Sequence, residues 1–212
     1  MCRTKKAAFI ILAIIMSSCC KSRLIDVIPL SESDLSVNPY TGDETLKFID
    51  DSSRIIVYDN GYRRINREEV RECYEGCCDY YLVDLSDNTY YTSDYMESDL
   101  QVVISNSFDR YTGKRESPTI HFVWNYYEVK PNVTSTSFGG ILKVDSMRQI
   151  AIDSGWFHNS LLLRGKQYAD VYAIPGYCPY PDRLKGDSLY FSESEGILGI
   201  KFSDGNLWTK ID

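Results

Sequence analysis

The chain has 212 residues, with 30 acidic against 23 basic side chains and a formal net charge of −7. An acidic body argues against sequence-independent nucleic-acid binding, which needs a basic footprint, and against adsorption to anionic lipid headgroups. The length suffices for one domain with a sizeable core.

The first twenty residues organise the rest. Arg3, Lys5 and Lys6 make a basic start, residues 7–16 are an unbroken apolar run, and Ser17, Ser18 and Cys19 follow at once. This is the order of a secretory signal. The run is too short to cross a bilayer, which takes about 20 apolar residues. The box Met16-Ser17-Ser18-Cys19 resembles the lipobox of bacterial lipoproteins, with Met16 where Leu is commoner. The resemblance implies a signal peptide over residues 1–18 and lipidation of Cys19. The partner is then a membrane, reached through the lipid anchor. Two or more acyl chains anchor stably.

Residues 19–42 read as the lipidated cysteine and a tether, with Ser22, Pro29, Ser31, Ser33, Ser36, Asn38, Pro39 and Gly42 among scattered apolar residues. Some twenty flexible residues span roughly 25 Å. The alternative is that residues 24–30 add an edge strand.

The domain, residues 43–212, reads as strand after strand. Residues 46–49 and 54–58 flank the turn-rich quartet Asp50-Asp51-Ser52-Ser53 and predict a hairpin. Residues 62–72 are charged and fit either an edge ribbon or a short helix. Alternation over 79–85 predicts a strand, continued by 90–92 and 100–105, and residues 106–118 read as a loop. The longest strand is expected over 119–129. Ile120, Phe122, Trp124 and Tyr126 share its core face. A strand over 138–144 precedes a helical turn over 146–152. Residues 159–164 and 167–174 predict a hairpin turning at Gly165-Lys166, and residues 175–186 a proline-rich loop. Strands over 187–192, 196–203 and 206–211 complete a meander. Asp204-Gly205 is read as a two-residue turn, with Leu198, Ile200 and Phe202 on one face. Together with 17 tyrosines, a residue that favours strands, the pattern predicts a single all-β domain, mainly antiparallel, with a curved sheet or half-open barrel.

Four cysteines lie in the body: Cys73, Cys77, Cys78 and Cys178. Export permits a disulfide among them. Unpaired thiols and a thiolate metal site are the alternatives. The spacing fits no paired C-x₂₋₄-C arrangement and there is no second cluster, so no metal is expected.

The C-terminal run Gly165-Lys166-Gln167-Tyr168-Ala169-Asp170-Val171-Tyr172 is followed by Leu189-Tyr190-Phe191-Ser192, Gly196-Ile197-Leu198-Gly199, Asp204-Gly205 and Trp208. It resembles the ending of small lipoproteins of Bacteroidota that have no agreed activity. The resemblance covers roughly the last 50 residues and the signal, and it implies a place and a β-rich shape rather than a reaction. Cys20, Lys21, Ser22 and Arg23 lack the acidic cluster associated in that phylum with export to the outer surface. The expected location is therefore the outer membrane, facing the periplasm. Asp145-Ser146-Met147 and Asp187-Ser188-Leu189 resemble the O-glycosylation triplets of the same phylum and mark Ser146 and Ser188.

There is no Gly-x-Ser-x-Gly elbow, no phosphate loop and no calcium loop. The only histidines are His121 and His158. No cofactor and no catalytic residue are expected. The leading expectation is a lipid-anchored, non-enzymatic envelope protein with a binding or structural role. The alternatives are a carrier of a lipid or other apolar ligand and a glycan-binding accessory lipoprotein.

Overall fold

The computed structural model describes residues 22–74, 77–106, 108–109, 114–129, 132–180 and 183–212. The strands in chain order are β1 (Arg23–Ile28), β2 (Leu46–Ile49), β3 (Ile55–Tyr74), β4 (Cys77–Ser93) and β5 (Ser98–Ser105). A small pair, β6 (Phe108–Asp109) and β7 (Lys114–Arg115), leads to β8 (Thr119–Val129) and β9 (Asn132–Lys143). After the helix Met147–Asp153 come β10 (Phe157–Leu163), β11 (Lys166–Tyr177), β12 (Gly186–Ser192), β13 (Gly196–Phe202) and β14 (Leu207–Ile211).

The sheet runs β4-β3-β2-β14-β13-β12-β11-β9-β8-β5, and β5 pairs back with β4. That last ladder closes a ten-strand antiparallel barrel and removes the open edges such a sheet would otherwise present. The fold is thus all-β and mainly antiparallel, closed rather than half-open. Ile120, Phe122, Trp124 and Tyr126 all face the core, as the alternation of β8 requires.

The interior is filled by large side chains. Trp124 and Trp208 meet edge to face at 5.8 Å, and Phe202 packs on both, at 4.8 and 4.4 Å. A short polar chain runs through them. Trp124 Nε1 donates to Tyr58 Oη at 2.9 Å. Tyr58 Oη meets Ser98 Oγ at 2.8 Å, and Ser98 Oγ donates to the Tyr95 carbonyl at 2.7 Å. With one proton each, the order of donation is fixed, so burial of Tyr58 leaves its oxygen paired.

Much of the stretch expected as tether belongs to this core. Leu30, Val37 and Tyr40 are buried and join the same cluster as the barrel side chains. Ser31 caps the helix Glu32–Leu35 in a capping box with Asp34. Beyond it, the Asn38 amide donates to Thr89 Oγ1 at 2.8 Å, and Tyr40 Oη accepts from the Ile197 amide at 2.5 Å. Arg63 locks the strap in place. Its guanidinium donates to both oxygens of the buried Asp87, at 2.6 to 3.1 Å, and to the carbonyls of Tyr40 and Leu35 at 2.8 and 3.2 Å. Packing into the barrel core therefore reaches back to Leu30, ahead of the expected boundary at 43, because these partners come from distant strands and leave no local signature. The edge-strand alternative over residues 24–30 corresponds to β1.

Of the two expectations for residues 62–72 the edge ribbon holds: they belong to the 20-residue β3 and, among the described residues, pair only with β4. Three further differences have physical causes. Residues 86–89, between the strands expected over 79–85 and 90–92, lie inside β4, where Asp87 is committed to Arg63. Leu198 does not share a face with Ile200 and Phe202. A bulge between Tyr190 and Phe191 skips it, and it packs outside the barrel with Leu163, Tyr168 and Val171. The turn at Asp204-Gly205 is also longer than two residues. Phe202 N donates to Asn206 O at 2.9 Å and Gly205 N to Phe202 O at 3.0 Å, with Gly205 at φ 91°. That left-handed position suits glycine.

Glu44 ties the strap to the wall. Burial raises its pKa, but hydrogen bonds from the Thr41 amide, Tyr91 Oη and Thr41 Oγ1 outweigh burial and hold it at about 2 against an ordinary 4.5. A depressed carboxylate stabilises the fold above its unfolded pKa and loses that contribution as pH falls from about 4.5 towards 2. The group is partly exposed, so about 1 kcal/mol is at stake. Glu44→Gln is expected to melt below the parent at pH 7, with the gap shrinking as the pH is lowered through that window. A gap unchanged between pH 7 and pH 3 would contradict this assignment.

Candidate binding pocket at the barrel mouth

A depression of about 600 Å³ opens where β4 turns into β5 and is lined by Tyr90, Thr92, Ser93, Asp94, Glu97, Ser98 and Asp99. A second, of about 300 Å³, shares Thr92, Ser93 and Asp94 and continues past Tyr95 to Val57, Asp59 and Asn60. The two flank a single turn.

Local chemistry shapes that turn. Met96 and Glu97 both take positive φ, 56° and 42°, a conformation uncommon outside glycine. Three contacts hold it. Ser93 Oγ accepts from the Tyr95 amide at 3.2 Å, the Glu97 amide donates to the Asp94 carbonyl at 3.3 Å, and Ser98 Oγ bonds Tyr95 O. Tyr95 in turn stacks edge-on against Trp208 at 5.5 Å. The Trp124–Tyr58–Ser98 chain thus fastens the pocket floor to the barrel interior.

Tyr62 and Tyr90 are cross-strand partners on β3 and β4, with ring centroids 5.4 Å apart. Tyr62 is 54% exposed, so part of its ring is open to solvent beside Tyr90, which lines the pocket. Asp94 and Glu97 are exposed carboxylates. Asp99 is buried, and its Oδ1 accepts from Asn125 at 2.7 Å and Gln101 at 3.0 Å. An exposed tyrosine ring next to exposed carboxylate acceptors suits a ligand with a flat apolar face and many hydroxyl donors.

A cleft of about 330 Å³ lies under the β10–β11 hairpin, with Arg164, Lys166 and Lys210 on its rim. These cations already serve the fold. Arg164 donates to the carbonyls of Ile49 and Asp50, and Lys210 to that of Glu195. Lys166 pairs with the Glu195 carboxylate at 3.5 Å.

Of the residues singled out in the sequence, only Cys73, Cys77 and Cys78 are brought together among the described residues. Cys19 lies outside the described residues. Cys73 is disulfide-bonded and sits opposite Cys78 in the β3–β4 ladder, with Tyr74 opposite Cys77. Cys178, just past β11, is a free thiol with Sγ 3.7 Å from the Tyr180 carbonyl. Ser146 is half-buried ahead of the helix and donates to Asp145 Oδ1 at 3.2 Å. Ser188 is half-buried within β12, paired with Pro175 and Lys201. His121 and His158 stand on separate strands, and burial lowers the pKa of His121. Among the described residues, no group of three or more His, Cys, Asp or Glu is placed to hold a metal ion. No helix among them is long and apolar enough to cross a membrane.

The pocket residues escaped the sequence reading because Tyr62 and Tyr90 are adjacent only through the ladder. The acidic run Asp94-Tyr95-Met96-Glu97-Ser98-Asp99 between two strands was the one local signal. In comparisons with known proteins, no protein-family model, no curated protein and no solved structure matches this chain.

Proposed function

We propose that the protein is a lipid-anchored protein of the bacterial cell envelope whose barrel is a non-enzymatic binding head, and that its ligand is a glycan met at the Tyr62–Tyr90 pocket. The anchor is Cys19, read from the apolar run and the box Met16-Ser17-Ser18-Cys19. The observation that carries the ligand class is the exposed Tyr62 ring beside Asp94 and Glu97. Sugar C–H faces stack on tyrosine, and sugar hydroxyls donate to carboxylates. The carrier alternative needs an open lumen, whereas this lumen holds Trp124, Trp208, Phe122, Phe191 and Phe202, each no more than 1% exposed. An acidic pocket favours neutral or cationic sugars over anionic ones.

A glycan array probed with the soluble domain, beginning at Ser22, tests this. Binding to neutral glycans is expected, falling at least tenfold in Tyr62→Ala and in the Asp94→Asn/Glu97→Gln pair, with melting unchanged. A domain that retains no glycan, or variants that bind as the parent does, would refute the glycan assignment.

A further inference from the structure

β3 and β4 are longer than the barrel needs. β4 pairs with β5 only from Ser86 to Ser93, and β3 pairs with β2 only from Ile55 to Tyr58. Beyond that, from Arg67 opposite Asp84 out to Tyr74 opposite Cys77, the two strands project together as an arm. β1 adds a third strand to that arm, and it runs parallel to β4, with Arg23 opposite Asp79 and Ile28 opposite Val83. The direction matters. A parallel β1 has its N-terminal end towards the arm tip, so the chain enters β1 there and not beside the barrel.

β1 is also an apolar edge strand left open. Leu24, Ile25 and Val27 are 40%, 43% and 39% exposed, and the outer edge of β1 pairs with no other described strand. An open apolar edge is an aggregation hazard unless something covers it.

We infer that the end of the arm carrying Leu24 and Ile25 is the membrane-docking surface of the protein, seated in the headgroup region of a phospholipid bilayer, and that the arm holds the barrel away from it. The inference rests on the anchoring at Cys19 proposed above. Four residue steps separate Cys19 from Arg23, which reach at most about 14 Å. Leu24 and Ile25 are therefore confined to the bilayer surface whenever Cys19 carries lipid. The spacer is then the folded arm and not a flexible tether. At about 3.3 Å per residue, Asp79 to Ser86 stands the barrel roughly 23 Å off, and Asp79 to Tyr90 stands the tyrosine pocket roughly 36 Å off. The pocket opens at the end of β4 remote from the arm tip, so the arrangement presents it away from the membrane.

The test uses the full chain, processed in a bacterial host and reconstituted in vesicles of phosphatidylethanolamine and phosphatidylglycerol. A photo-crosslinking residue replaces Leu24 in one variant and Ile25 in a second, with Leu162 on the β10–β11 hairpin and Tyr177 at the end of β11 as controls, 66% and 71% exposed. Intact mass of each sample reports the acyl groups on Cys19. Lipid adducts at position 24 or 25 at least tenfold above those at 162 and 177 are expected. Equal adducts at all four positions, or more at 162 or 177, in protein that carries acyl groups would overturn the docking surface alone. Absence of acyl mass on Cys19 would overturn the anchoring reading, and the docking inference with it.

Discussion

A chain ending at Ser203 is expected not to fold. β14 is the strand between β13 and β2, paired with both, so its loss reopens the barrel and leaves two unpaired edges. It also removes Trp208, which touches Trp124, Phe202 and Tyr95. Losing a buried Trp alone costs about 3–5 kcal/mol, against a total stability of about 5–15 kcal/mol for a domain. The truncated protein should be recovered as aggregate or degraded. Trp208→Ala should retain the fold with melting lowered by 10 °C or more, and Trp208→Phe should fall in between. The Phe variant is spared one cost, because the indole Nε1 is buried with no hydrogen-bond partner among the described residues and its loss leaves nothing unpaired. Thermal melts of the three variants check this. A truncation that melts within a degree or two of the parent would show that β14 does not close the barrel.

Asp87→Ala is expected to be nearly as damaging. Asp87 is fully buried and Arg63 is mostly so, and the same guanidinium carries the Tyr40 and Leu35 carbonyls of the strap. Removing one partner of a buried pair leaves the other charge uncompensated and costs about 3–5 kcal/mol. The strap should loosen at the same time, since the Asn38 amide also reaches Asp87, at 3.3 Å. Amide exchange over residues 30–42 should therefore rise ahead of global unfolding. The double variant Arg63→Met/Asp87→Leu should recover part of the loss, because no lone charge remains. A single variant with parental melting and an unchanged exchange pattern would mean that the pair does not hold the strap.

The sequence made legible those features whose cause is local. Alternation on β8 identified Ile120, Phe122, Trp124 and Tyr126 as core, and Gly165 marked the β10–β11 turn, where Arg164 and Gly165 both take positive φ. The helix Met147–Asp153 fell where one was expected. What was not legible depends on partners far along the chain. Asp87 carries no local sign of burial, because the guanidinium that holds it belongs to Arg63, 24 residues earlier. Leu30, Val37 and Tyr40 are too widely spaced to show a period, yet they fill one end of the core. The arm was hidden because its polar alternation fits an edge ribbon and a helix alike, and only the β1–β4 register reveals which way β1 runs. The Tyr62–Tyr90 pair needs the same ladder before it becomes a surface.

Attachment at Cys19 underlies both the envelope reading and the standing of the barrel on its arm. Its most direct measurement is incorporation of labelled fatty acid into the protein in growing bacteria, followed by membrane fractionation, for the parent and for Cys19→Ala. The account predicts label and membrane recovery in the parent and loss of both in the variant. Equal labelling of the two, or an unlabelled parent found free of the membrane, would contradict it.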